Sequence, residues 1–219
     1  MADRPTLEET IALLEATLEA THDGIVVVDL NRRVILHNKQ YLKMFGLTAD
    51  DVERGGVDGL IETLSPQLVD LEAVLLSSRA IWSNPSTEVV DVLRFKDGRI
   101  YQRYTAPHRV NSKIVGRFAS FRDIGESVRA AEAIEQHRAF LEKAQEVAHI
   151  GSWVADLDGT DALGWSAETH RIFGVPLGQF PGTSEAFFGF VHEEDREGVR
   201  RASDAATASD APYDVEHRI

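Results

Sequence analysis

The sequence predicts an α+β fold: a five-stranded antiparallel sheet with helices on one face, flanked by an N-terminal helix and a connector helix. Three observations carry this. Two short β-branched runs lie between residues 24 and 36, apolar residues at helical spacing follow between 41 and 76, and three runs with a period of two lie between 87 and 121. The 219 residues are 43% hydrophobic and 27% charged, which is ordinary for a globular chain. At roughly 100–200 residues per domain, that length predicts one large domain or one and a half to two small ones.

Leu7, Ile11, Leu14 and Leu18 step by helical intervals, which predicts an amphipathic helix within residues 1–21. Pro5-Thr6 followed by Glu8 and Glu9 suits its start, because carboxylates favour the positive end of the helix dipole. So narrow a stripe packs either on its own domain or on the same helix of a second chain. Gly24-Ile-Val-Val-Val-Asp29 and Val34-Ile-Leu36 read as a hairpin across Asn31-Arg32. Asn38 then opens a short helix through Tyr41, Leu42 and Phe45, which Gly46 ends. Gly55-Gly56 marks a break. The leucines between 60 and 76 predict a helix over 58–79, with Pro66 interrupting its first turn. Alternation from 87, the turn pair Asp97-Gly98 and the break at Asn111-Ser112 predict a three-stranded meander.

Residues 125–147 read as a charged helix. Ile134, Leu141 and Ala148 are spaced by seven, so a short coiled coil and a plain solvated connector both remain open. The last 72 residues repeat the early pattern. Gly151-Ser-Trp-Val-Ala-Asp156 and Ala162-Leu-Gly-Trp165 read as strands across a turn at Asp158-Gly159, and Ser166 caps a helix that closes at Phe173-Gly174. A further helix begins in Val191-His-Glu-Glu-Asp-Arg196, and a strand begins at Tyr213. The boundaries expected are therefore 1–21, 22–124, 125–147 and 148–219. The fourth segment is about two strands shorter than the second, so it is expected not to close its own sheet.

At this point the residues resemble a PAS domain, twice. The run Thr21-His-Asp-Gly-Ile-Val-Val-Val-Asp29 with Val34-Ile-Leu-His-Asn38 and Phe45-Gly46 resembles the family's opening strands, its common Asn and its glycine-closed helix. Phe118-Ala-Ser-Phe-Arg-Asp-Ile-Gly-Glu126 is similar to the closing strand and the Asp-Ile-Thr-Glu junction, with Gly125 in place of Thr. The second copy resembles the subgroup with Gly-Ser-Trp and a Val-His-Pro-Asp-Asp-Arg box, Glu193 standing where Pro is usual. The resemblance implies a sensory or interaction module of a bacterial signalling protein. Its downstream output would be a diguanylate cyclase/phosphodiesterase or a histidine kinase. It also implies a ligand between helices and sheet, for which Asn38, Tyr41, Leu64, Leu68, Trp82, Tyr104 and Phe118 are the expected surroundings. Asp123, Ile124 and Glu126 are the expected relay into the 125–147 helix, and Leu7, Ile11, Leu14 and Leu18 the expected contacts of a homodimer.

Composition narrows the chemistry. With no Cys, disulfides, thiolate metal sites and covalent cysteinyl flavin are excluded. Haem is disfavoured because 58–79 contains no His, while His22, His37 and His108 fall on strands or loops. Non-covalent flavin or another small molecule stays open, with Trp82, Asn84, Arg99 and Arg103 as the residues that could face it. The competing expectation is that Trp82 ends a core helix and that these bases line the wet side of a strand. No residue pattern suggests catalysis, and adjacent acids such as Asp50-Asp51 and Glu193-Glu194-Asp195 suit helix starts better than a metal. The net charge of −13 argues against nucleic acid, since only the 94–122 stretch gathers as many as eight bases and no dominant basic face is expected. No apolar run approaches the ~20 residues of a membrane span, so no membrane contact and a cytoplasmic location are expected.

Overall fold

The computed structural model describes residues 6–157, 159–209 and 212–219; Pro5 and Asp158, read above in a helix start and a turn, lie outside them. The chain forms two compact units, Met1–Ala130 and Ala131–Ile219.

In the first unit, α1 (Leu7–Glu19) starts at a capping box: the Glu9 amide donates to Thr6 Oγ1 and the Thr6 amide to the Glu9 carboxylate. None of its residues is buried; Leu7 is 77% and Leu14 60% exposed. The sheet comprises β1 (Gly24–Asp29), β2 (Val34–His37), β3 (Val89–Arg94), β4 (Ile100–Val110) and β5 (Lys113–Asp123), in the order β2-β1-β5-β4-β3. Every pairing is antiparallel. Asn111 and Ser112, both at positive φ (48° and 65°), turn β4 into β5. Gly116 sits where β5 presses on β1, and any Cβ there would collide with the Val28 carbonyl.

Three helices cover one face. α2 (Lys39–Phe45) is capped by Asn38 and ended by left-handed Gly46 (φ 67°). α3 (Ala49–Leu64) bends at Gly56, whose φ of 52° and ψ of −153° no other residue adopts easily. The bend lets the Val57 amide reach the Arg32 carbonyl at 2.9 Å, and a Cβ on Gly56 would lie 2.6 Å from that oxygen. α4 (Leu71–Ser83) follows a 3-10 turn at Ser65–Gln67.

The helix expected over 58–79 is thus two helices. Pro66 removes a donor, and Leu68 is extended because it bridges Phe95; the Val69 amide donates to the Arg94 carbonyl at 2.9 Å and the Lys96 amide to the Gln67 carbonyl at 2.8 Å. The core beneath holds Val26, Val28, Tyr41, Phe45, Leu60, Leu93, Phe95, Tyr101 and Phe121. α5 (Gly125–Ala148) leaves the end of β5: the Ile124 amide donates to the Ile100 carbonyl at 3.0 Å, and Asp123 Oδ1 accepts from the Gly125 amide at 2.8 Å.

Asn38 ties this unit together. Only 1% exposed, it accepts on Oδ1 from the Ile25 and Tyr41 amides, at 2.8 and 2.9 Å. Its Nδ2 donates to the Leu18 carbonyl (3.1 Å), the Asp23 carbonyl (2.9 Å) and Thr21 Oγ1 (3.1 Å). One amide thereby joins the end of α1, the start of β1 and the first turn of α2.

In the second unit, β6 (Trp153–Ala155) and β7 (Leu163–Trp165) pair antiparallel. α6 (Ala167–Ile172) is capped by Ser166, and Gly174 repeats the left-handed ending at φ 68°. α7 (Ser184–Phe190), not anticipated from the sequence, and α8 (Arg196–Ala208) close over Phe188, Val191 and Val199. Contrary to expectation, 213–219 is not a strand. It has no ladder partner among the described residues and is held by the His192 amide on the Arg218 carbonyl (2.8 Å) and by Arg218 on Asp195 and Glu194.

Replacing Asn38 with Ala leaves several buried donors and acceptors unpaired at about 1–3 kcal/mol each, partly relieved by relaxation. Asn38→Ala is expected to lower the urea-unfolding stability of the first unit by about 3 kcal/mol; an unchanged midpoint would show that the amide is not the clamp described.

Candidate ligand site

The inner sheet face and the helices above it do not fill the space between them. A cavity of about 120 Å³ remains in the first unit. Its floor is Val26 and Val28 from β1, Leu93 from β3, and Ala119 and Phe121 from β5; α3 and α4 supply Leu60, Leu64, Val74, Ile81 and Trp82 above. Phe45 braces one wall, with ring centroids 4.9 Å from Phe121, 5.0 Å from Tyr41 and 5.3 Å from Tyr101. Burial pushes the Tyr41 phenol well above its ordinary pKa, against the opposing charge of Arg103, so it stays a neutral hydroxyl.

One end of the cavity is polar. Ser78, Thr105, Arg103 and Arg117 line it. Arg103 and Asp91 are direct cross-strand partners in β4 and β3, and the guanidinium grips the carboxylate with two nitrogens. Ser77 completes this group, donating to Asp91 Oδ2 at 2.5 Å and accepting from Arg103 Nη2 at 3.0 Å.

Arg117 is different. It is 2% exposed and its partners are all neutral: Nε donates to Thr105 Oγ1 (3.3 Å), Nη1 to the Pro85 carbonyl (2.9 Å) and Nη2 to the Thr87 carbonyl (2.7 Å). Among the described residues no carboxylate lies within ion-pair distance of it. Burial, and then the nearby Arg103, push its pKa down, yet a guanidinium remains charged at neutral pH.

Four of the residues expected around a ligand, Tyr41, Leu64, Leu68 and Trp82, line the cavity. Three do not. Asn38 is the clamp between α1, β1 and α2, and Tyr104 and Phe118 pair with each other at 6.5 Å, Tyr104 donating to Glu88 at 3.0 Å. Residues alternate faces along a strand, so Tyr104 and Phe118 share the outer face while Arg103, Thr105, Arg117 and Ala119 point inward. The bases expected on the wet side are therefore corrected: Arg103 lines the cavity, and Arg99 reaches the Met44 carbonyl (2.7 Å) and Gln67 (2.8 Å). Trp82 has the cavity on one side and the Arg32 guanidinium 5.2 Å from its ring centroid. Asn84 caps α4 and holds Ser86. Arg117 was not singled out from the sequence, although counting back by twos from Phe121 places it inside.

Asp123, Ile124 and Glu126 sit where β5 becomes α5. The α1 stripe lies uncovered in its unit, Leu18 less so than Leu7, Ile11 and Leu14. In the second unit a cavity of about 160 Å³ is bounded by Trp153, Trp165, Phe187, Tyr213 and His217. Among the described residues no three His, Asp or Glu side chains are grouped as a metal would require, and no helix is long and apolar enough to cross a membrane.

Comparison with known proteins gives two family matches: residues 12–79 fit the model described as a PAS domain, and residues 162–219 the one described as a PAS fold. No curated protein matches. Among solved structures, the sensor region of a sensor histidine kinase is 22% identical over 48% of this chain and 40% of that one, with a TM-score of 0.39. The chain thus spans less than half of that relative. The PAS domain of an HTR-like protein from Haloarcula marismortui is 21% identical over 54% of this chain and 94% of its own, TM-score 0.39. For the PAS domain of BvgS from Bordetella pertussis the values are 18%, 58%, 98% and 0.42.

Asp91 neutralises one of two arginines at the same cavity end. Asp91→Asn leaves the half-buried Arg103 charge unpaired beside that of Arg117, and the cost expected lies between that of a surface pair and that of a buried one, about 2 kcal/mol. Chemical denaturation of the variant should show that loss, and a loss under about 1 kcal/mol would mean that solvent screens the pair as it does at a surface.

Proposed function

The chain belongs to the PAS family of sensor and signalling domains, and we propose that its first domain is a ligand-responsive sensor that relays occupancy of its cavity through α5 to a downstream output domain. One observation carries this reading: the floor of the cavity includes Ala119 and Phe121 of β5, and β5 runs through Asp123 and Ile124 directly into α5. A ligand that shifts the register or twist of β5 changes how α5 starts, since the Asp123 and Ile124 hydrogen bonds fix that start. The cavity volume supports a small ligand. An apolar cavity of about 150 Å³ takes benzene, close to the 120 Å³ present here.

In this reading the stretch itself is non-enzymatic, acts in the cytoplasm, and works as a homodimer whose contacts include the exposed α1 stripe. The output is a histidine kinase or a diguanylate cyclase/phosphodiesterase of the same protein. The exposed apolar residues of α5, Ile134, Phe140 and Leu141, favour a second reading in which the chain is a ligand-free dimerisation and relay module.

Two measurements separate these. Hydrogen exchange should change in Gly125–Ala148 when a molecule of benzene's size occupies the cavity, and unchanged α5 protection at saturation would favour the second reading. Ile11→Asp with Leu14→Asp should halve the mass seen by light scattering, because each substitution places a charge in the proposed interface; an unaltered mass would remove α1 from it.

A further inference from the structure

Burying a guanidinium costs several kcal/mol unless an acid or a full set of acceptors compensates it. Three of the five N–H groups of Arg117 have protein acceptors among the described residues, and every one of those acceptors is a neutral dipole. Arg103 brings no relief, because its own charge is matched by Asp91 and Ser77. The polar end of the cavity therefore carries one net positive charge, while the rest of its lining is aliphatic and aromatic.

Resting on the reading of this domain as a small-molecule sensor, we propose that the ligand is a small organic monocarboxylate, its carboxylate received by Arg117 and its compact apolar body lying against Val26, Leu64, Ile81 and Trp82. The remaining N–H groups on the two terminal nitrogens suit a planar two-oxygen acceptor, the geometry in which guanidinium and carboxylate bind most strongly. Ser78, buried at this end, adds a hydroxyl that can turn toward the same group, while the Thr105 hydroxyl is held between the Phe118 carbonyl, to which it donates at 2.8 Å, and Arg117 Nε. The volume of about 120 Å³ suits a buried body of about the size of benzene. A neutral ligand of the same shape would leave the charge of Arg117 uncompensated and so forfeit the larger part of the selectivity.

The test is calorimetric titration of the full chain with benzoate and isovalerate, each beside its neutral isostere, benzamide and isovaleramide. The carboxylates should bind at least about tenfold more tightly than the amides, the ratio expected when a charge-assisted pair replaces a neutral hydrogen bond in a desolvated site. Arg117→Met should abolish that ratio and leave amide binding in place. Arg117→Lys, which keeps the charge but not the fork, should retain part of it and guards against misfolding of the methionine variant. Equal binding of acid and amide to the native chain would overturn the inference and leave the sensor reading standing. Failure of all four probes to bind would overturn both. A carboxylate preference that survives Arg117→Met in a folded variant would overturn the assignment to Arg117.

Discussion

A positive charge on the inward face of the sheet is the constraint around which the first domain is arranged. Strand periodicity leaves Arg117 no choice of side, because Phe121 and Ala119 on the same strand belong to the core. Once inside, the guanidinium must be solvated by the protein. The connection between α4 and β3 does this by turning the Pro85 and Thr87 carbonyls toward it, and Thr105 from the neighbouring strand supplies a hydroxyl. The same requirement bears on the volume beside it: a further aliphatic side chain packed against the guanidinium would offer its two remaining N–H groups no acceptor. Hydrophobic packing drives this domain together, but the charge decides where that packing stops.

The covering helices are set by a second group of polar contacts. Asn38 fixes the beginning of α2 against β1, and the Met44 carbonyl near its end accepts from both Tyr101 Oη (2.9 Å) and Arg99. Gly56 allows α3 to bend over the hairpin, and the Leu68 bridge to Phe95 separates α3 from α4. With α2 pinned at its start through the Asn38 amide and near its end by the Tyr101 and Arg99 side chains, and α3 and α4 tethered to the hairpin and the sheet, the roof has a defined height. Occupancy then bears on the sheet, and β5 is the strand with both a cavity-facing segment and a helix at its end.

The strands, their turns and the capped short helices were legible in the sequence because each has a local cause: β-branched runs, Asp97-Gly98, Asn38 before Tyr41, Gly46 after Phe45. The interruption at 65–70 was only half legible. Pro66 announced it, but the extended Leu68 depends on Phe95, which is 27 residues away in sequence and next to it in space. Of the expected ligand surroundings, Tyr41, Leu64 and Trp82 on helices and the extended Leu68 line the cavity. Tyr104 and Phe118 have the bulk of core residues, but strand parity puts them on the outer face, and the buried Asn38 amide is occupied by backbone. The arginines depart from the usual assignment of bases to the wet face because a half-buried acid receives Arg103 and a carbonyl array receives Arg117. In the second unit, 213–219 has strand-like composition without a ladder, since composition supplies propensity and only a neighbour supplies hydrogen bonds.

The decisive quantity is the state of one guanidinium. Solvent exchange of the arginine Nε–H groups by nitrogen-15 NMR, with Arg117 assigned through the Arg117→Lys spectrum, reads it directly in the unliganded chain. A slowly exchanging Arg117 Nε–H, protected far beyond those of the exposed Arg54 and Arg138, is the result expected of a buried cation held by Thr105, Pro85 and Thr87. Exchange as rapid as at those two surface arginines would place Arg117 in water and contradict a charged, desolvated cavity end.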